Sequence, residues 1–428
     1  MTPATITARP SWLLRRLFPI LGTIGLVAAG MIGTIWGPRY YGKTAWALPD
    51  DLWGTLIAAQ RLLHLNLGGL YTAPTQLVSL PGAAVILVPC AALIDAAGVA
   101  LRVPKALGPH PGAWLIAGPY QMVISAVALF AADALAERLG ARRPKRLVLA
   151  AASATALWSV TARWGHPEDA VATGLLLYAI IALADAKPGR AGWLAGAAVA
   201  VQPLVLLALP VLLIAIAPRR WPGFLTRAAL PSAVLLAAAA AANWTATVSA
   251  VTSQPNSPSI DHPTPWIYLA PHLTHGQVAA GPFRIAAIVV ACGCALLAAR
   301  RWRANPPAAP WPPQMLQELL WWTAVALALR SVFEPVMVAY YLWPPLAVAL
   351  IAATRSWSRL LPAGIAATVL TFFSQIQWHN PWAWWLPMIT LLGLTLFLAW
   401  QRGTISGSVT PPQVLPEPGE QFVPDGAP

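Results

Sequence analysis

Cysteine is scarce in this sequence, three among 428 residues. Cys90, Cys292 and Cys294 all sit in apolar runs, where a thiol packs as a small side chain, so they imply no disulfide framework. Charge is also scarce: 10% of residues are charged against 58% hydrophobic. The chain has no Walker-type phosphate loop and no GxGxxG following a strand. No soluble stretch is long enough for a nucleotide-sugar-binding fold. The net charge of +13 gathers into no single patch, so it does not point to nucleic acid. The basic residues stand between hydrophobic runs instead.

Those runs are what the chain has in abundance. Mean hydropathy is +0.62. Apolar runs recur at 17–36, 80–101, 114–135, 147–162, 170–184, 193–217 and 228–248, then at 285–299, 316–329, 336–353, 360–373 and 384–400. This is the signature of an all-α, polytopic membrane protein of about eleven to thirteen spans. The 22 Trp suit interfacial belts, and the 43 Pro mark loop edges and broken helices. Residues 1–402 read as one transmembrane domain, with a first extracytoplasmic loop at about 38–79 and a larger one at about 249–283. The Pro-rich stretch 403–428 reads as a disordered cytosolic tail.

Lys and Arg orient the spans. Arg15-Arg16, Arg138 to Arg146, Lys187 with Arg190, Arg219-Arg220, Arg300 to Arg303 and Arg355 with Arg359 belong on the cytosolic side. The opposite face then receives all seven histidines, with Asp50, Asp51, Glu168, Asp169, Asp261 and Glu334. Positive charge on both flanks of 193–217 requires a break, which Gln202-Pro203 would supply. The run at 80–101 raises the same conflict and holds Pro89.

On the extracytoplasmic face, Asp50-Asp51 opens an amphipathic segment after Pro49. Leu52, Leu56, Ala59 and Leu63 form one side, and Gln60, Arg61 and His64 form another that would be wet in a membrane interface. Two adjacent carboxylates there are either helix caps or a general base. Gly165-His166-Pro167-Glu168-Asp169 places a costly polar cluster at a membrane edge. It is either a functional site or a hydrated helix start. The loop 252–284 holds His272 and His275 beside Asp261-His262, a loose metal spacing, with Trp266 and Tyr268 as stacking surfaces for a sugar or headgroup. Arg330 and Glu334 stand four apart and precede Tyr340-Tyr341. A salt bridge would explain the pair, and an anion contact would use the planar guanidinium.

The run from Asp51 through Gly69-Leu70-Tyr71 to Leu80-Pro81-Gly82 resembles the first extracytoplasmic loop of GT-C glycosyltransferases. It is most similar to the actinobacterial polyprenyl-phosphate-mannose-dependent branch. Gly165 to Asp169, Gly196 to Pro203, and Ser331 through Glu334-Pro335 to Tyr340-Tyr341 and Pro344 resemble further motifs of that branch. Gln202 stands where a Lys is common, and the late motif is altered. The resemblance implies an inverting transfer of a sugar, mannose or another hexose or pentose, from a polyprenyl-phosphate donor. The acceptor would be a glycolipid or glycan outside the plasma membrane. It assigns the base to Asp51, with Asp50 as substitute, and the donor phosphate to Arg330, His166 and Gln202. Glu168, Asp169, His262, Trp266, Tyr268, Glu334, Tyr340 and Tyr341 would line the substrate site. No metal ligand is assigned, although a divalent metal is compatible. The competing expectations are a polytopic transporter or lipid flippase, and an inactive GT-C-like subunit of an envelope-assembly complex.

Overall fold

The structure is a computed structural model that describes residues 11–41, 48–72, 77, 79–101, 111–253, 256–259, 261–304, 311–376 and 380–400. The tail, His110 and His379 lie outside these residues, as does the side chain of His275. The described chain is almost wholly helical. Proline explains many of the helix starts, because it lacks the N–H that a first turn leaves unpaired and its φ is already helical. Pro167–Ala184, Pro188–Val201, Pro313–Phe333 and Pro381–Ala399 all begin in this way.

Among the described residues, five helices are long and apolar enough to cross a membrane: Pro111–Arg138, Pro167–Ala184, Pro218–Ala242, Phe283–Arg300 and Pro381–Ala399. Shorter apolar helices accompany them. Trp343–Ala353 is apolar all round and buried at every residue, so it forms the centre of the bundle. Phe283–Ala304 instead presents Ile285, Val289 and Leu296 outward, each more than 60% exposed. A bare apolar face of this kind calls for lipid or another apolar cover.

The break at Gln202 is present. The Pro188–Val201 helix stops, Gln202 is extended, and a 3-10 turn over Pro203–Ala208 leads into Leu209–Leu213. The run at 80–101 is likewise interrupted, as Pro81–Val85 and Val88–Ala96. The expected helix at 336–353 begins late. Val336–Met337 is a strand, β2, paired antiparallel with β1, His262–Pro263. The helix proper starts at Trp343. This two-residue ladder ties the large loop to the end of the Pro313–Phe333 helix.

The polar face of Asp50–Leu63 is less wet than its pattern suggests. Gln60 donates to Asp95, His64 Nε2 lies 3.0 Å from Asp95, and Arg61 donates to the Gly69 and Thr72 carbonyls. The opposite face buries Leu52, Thr55, Leu56, Ala58 and Ala59. The helix is thus packed on one side and tethered on the other.

Charges separate to two ends of the bundle. At one end Asp133, which is 2% exposed, accepts from Arg146 Nε at 2.7 Å and from Arg16 at 2.8 Å. Glu137 bonds Arg15 and Arg16 there, and Arg138 pairs with Asp185 at 2.6 Å. Arg143–Trp158 and the π-helical turn Ser159–Arg163 carry the chain from that network toward His166. At 1.5 Å per residue the separation is about 25 Å, close to the thickness of a bilayer's hydrocarbon core.

Candidate active site

His166 is the centre of the second polar cluster, and local chain chemistry places it. A π-turn widens the end of the preceding helix, a geometry frequent near functional sites. The Gly165 N–H then bonds the Thr161 carbonyl, and Gly165 turns left-handed at φ +72. Pro167 immediately opens the next helix. His166 is therefore held between a stop and a start, 4% exposed, with Glu168 and Asp169 in the first turn behind it.

Both ring nitrogens of His166 face carboxylates. Nδ1 lies 2.6 Å from Glu168 Oε1, and Nε2 lies 2.9 Å from Asp51 Oδ2. The Tyr340 ring stacks on the imidazole at a centroid distance of 3.8 Å and 22° between planes. Burial opposes a charge on His166, but Glu168 and Asp51 outweigh it and hold the imidazole protonated well above its usual range. Burial likewise opposes ionisation of Asp51, yet the hydrogen bond and charge of His166 prevail and lower its pKa. Asp51 is therefore a carboxylate at neutral pH. Its side chain is 48% exposed while that of His166 is 5% exposed, so Asp51 forms the open rim of a buried cluster.

Asp169 lies deeper. Its Oδ1 accepts from Gln202 Nε2 at 3.2 Å, so the helix break at Gln202 directs an amide onto this carboxylate. Arg330 lies over the Tyr341 ring at 3.6 Å, and its Nε is 3.7 Å from Glu334. Arg284 bonds the same Glu334 at 2.9 Å. Asp261 feels the charges of Asp51 and His166. Burial chiefly, with Asp51 adding, pushes its carboxyl up to about 6.

The structure therefore gathers Asp51, His166, Glu168, Asp169, Gln202, Arg330, Glu334, Tyr340 and Tyr341, drawn from segments far apart in sequence. Asp50 is exposed in the same first turn as Asp51. The other loop candidates make contacts of their own. His262 is buried in β1 with its ring stacked on Trp384 at 3.9 Å. Trp266 packs against Phe283 and Phe333, and its indole donates to the Val332 carbonyl. Tyr268 is 72% exposed. His272 is exposed, its backbone bridged to Val278. Among the described residues, the grouping with metal-ligand geometry is instead His166, Glu168 and Asp169. Arg284 and Asp261 were not singled out by sequence pattern. Asp261 stood only as a companion of the loop histidines, and Arg284 was merely the end of that loop.

What the arrangement can do chemically follows from its layout. An ionised, half-exposed carboxylate is oriented by an imidazole that a second carboxylate and a stacked tyrosine hold in place. That suits proton abstraction from a hydroxyl at the rim. Comparison with known proteins finds no matching family model and no matching curated protein.

Proposed function

We propose that this chain is a multi-pass membrane glycosyltransferase that moves a sugar from a polyprenyl-phosphate donor to a hydroxyl of a glycolipid or glycan. The observation that carries the reading is the Asp51–His166–Glu168 array, which presents an ionised carboxylate at the mouth of a buried polar cluster. Its position at the end of the bundle away from the Arg16–Asp133–Arg146 network supports an extracytoplasmic site. The spans then number about eleven to thirteen when short and broken helices are counted with the long ones.

In the reaction the acceptor hydroxyl loses its proton to Asp51, through the oxygen that His166 does not bind. The acceptor oxygen attacks the anomeric carbon from the face opposite the phosphate. The glycosidic C–O bond breaks, and the departing polyprenyl phosphate keeps the electron pair. A phosphate needs no protonation to leave, so one carboxylate suffices and the centre inverts. Glu168 and Tyr340 act through His166 as positioning residues. Arg330 is the cation for the phosphate, with Tyr341 holding its guanidinium plane. Gln202 is spent on Asp169 and orients that carboxylate rather than the phosphate.

Purified protein in detergent, given a panel of radiolabelled polyprenyl-phosphate sugars and an envelope lipid extract, tests the reading. It predicts label transferred from one donor to an acceptor with inverted anomeric configuration. Absence of transfer from every donor across the panel would refute it.

A further inference from the structure

We propose that His166, Glu168 and Asp169 form a binding site for one divalent transition-metal cation, of the manganese or zinc class. Each residue offers one ligand atom, and these atoms lie within 4.8 Å of one another. The three are 4%, 4% and 1% exposed, so the site is internal. Two carboxylates and an imidazole are a donor set that suits these ions. Calcium would want six or more oxygens.

A second observation, independent of the clustering, points to a missing positive partner. Asp169 Oδ1 accepts from Gln202, whereas its Oδ2 is buried with no hydrogen-bond partner among the described residues. A buried carboxylate oxygen without a donor is costly, and native structures rarely tolerate one.

The surroundings of His166 also fit a ligand histidine. Its Nε2–H donates to Asp51, which fixes the tautomer and leaves the Nδ1 lone pair for the ion, as second-shell carboxylates do in metal sites. Tyr340 fixes the ring plane. The ion takes the place of the proton shared between Nδ1 and Glu168, and that 2.6 Å contact opens as both groups turn to the metal.

The site shares His166 and Glu168 with the proposed transfer array, and its test reads binding alone. The full chain, purified in detergent and stripped with chelator, is titrated at neutral pH with manganese, followed by electron paramagnetic resonance, and with zinc against a chromogenic chelator. One equivalent of either ion per chain is expected. Asp169→Asn should lower the affinity at least about tenfold. Gln202→Lys should abolish binding while leaving the thermal midpoint near that of the wild type, because its ammonium supplies Asp169 with the missing cation. Should Asp169→Asn fail to fold, Gln202→Lys decides. Wild-type protein that binds neither ion at millimolar concentration would overturn the proposal. So would undiminished binding in Gln202→Lys.

Discussion

Gly165→Ala is the sharpest way to separate the placement of the site from its chemistry. Gly165 adopts φ +72, which costs an alanine about 1–2 kcal/mol. A Cβ there would also lie 2.8 Å from Leu52 Cβ and 2.9 Å from Pro49 Cβ and Cγ. These atoms belong to the backbone-proximal part of the Asp50–Leu63 helix start, so they cannot swing aside as a long side chain would. Overpacking of this kind costs about 1–3 kcal/mol. The combined expectation is a loss of about 3 kcal/mol, a large share of a stability of about 5–15 kcal/mol. Relief comes by moving Pro49 and Leu52 away, and Asp51 between them goes with them. The 2.9 Å contact to His166 then lengthens. If Asp51 works as proposed, an ångström of displacement should cost about a hundredfold in transfer. Reversible unfolding of the purified variant in mixed micelles gives the stability, and the transfer assay gives the rate. Stability within 0.5 kcal/mol of wild type, the size of a bland surface change (about ±0.5 kcal/mol), would refute the packing argument.

Two further perturbations test other parts of the account. Asp261→Asn should stabilise the protein at neutral pH but not in acid. A folded pKa of about 6 against an ordinary 3.8 means that stability present below the unfolded value is lost as pH rises through 6. The shift corresponds to about 3 kcal/mol, and partial solvent contact lowers the expectation to about 1–2 kcal/mol. Thermal midpoints across pH would show the gain growing toward neutrality, and an equal gain in acid would contradict it. Asp133→Ala should destabilise by about 3–5 kcal/mol, because it strips the buried Arg146 guanidinium of its carboxylate, while Arg16 keeps Glu137. A change under 1 kcal/mol in the same unfolding assay, the worth of an exposed pair (about 0–1 kcal/mol), would show that network to be solvated.

Much of the site was legible because its signals are local. Asp51 comes shortly after Pro49 and heads an amphipathic period, His166 and Glu168 are two residues apart, and basic flanks on both sides of 193–217 call for a break that Gln202-Pro203 supplies. The helical class followed from the recurrent apolar runs for the same reason. What one sequence withholds is partnership across distance. Nothing in the motif around His166 names Asp51, 115 positions earlier, or the ring of Tyr340, yet these fix its orientation. The pairing of β1 with β2 was equally invisible, since two residues carry no strand period. Asp133 was hidden inside an apolar run, where its neutralising arginines come from the N-terminal segment and from the following helix. The polar side of Asp50–Leu63 pointed to water by pattern alone. Asp95, on a separate short helix, takes up Gln60 and part of that polarity, while His64 stays largely in solvent.

The central claim is that Asp51 removes the acceptor proton, and one comparison of purified proteins tests it. Asn keeps the shape of Asp and its place in the first helical turn, so Asp51→Asn should fold and bind donor as the wild type does. Its transfer rate at saturating polyprenyl-phosphate sugar should fall by at least about a hundredfold, the effect of losing a general base. Undiminished transfer in the Asp50→Asn,Asp51→Asn double variant would contradict the account.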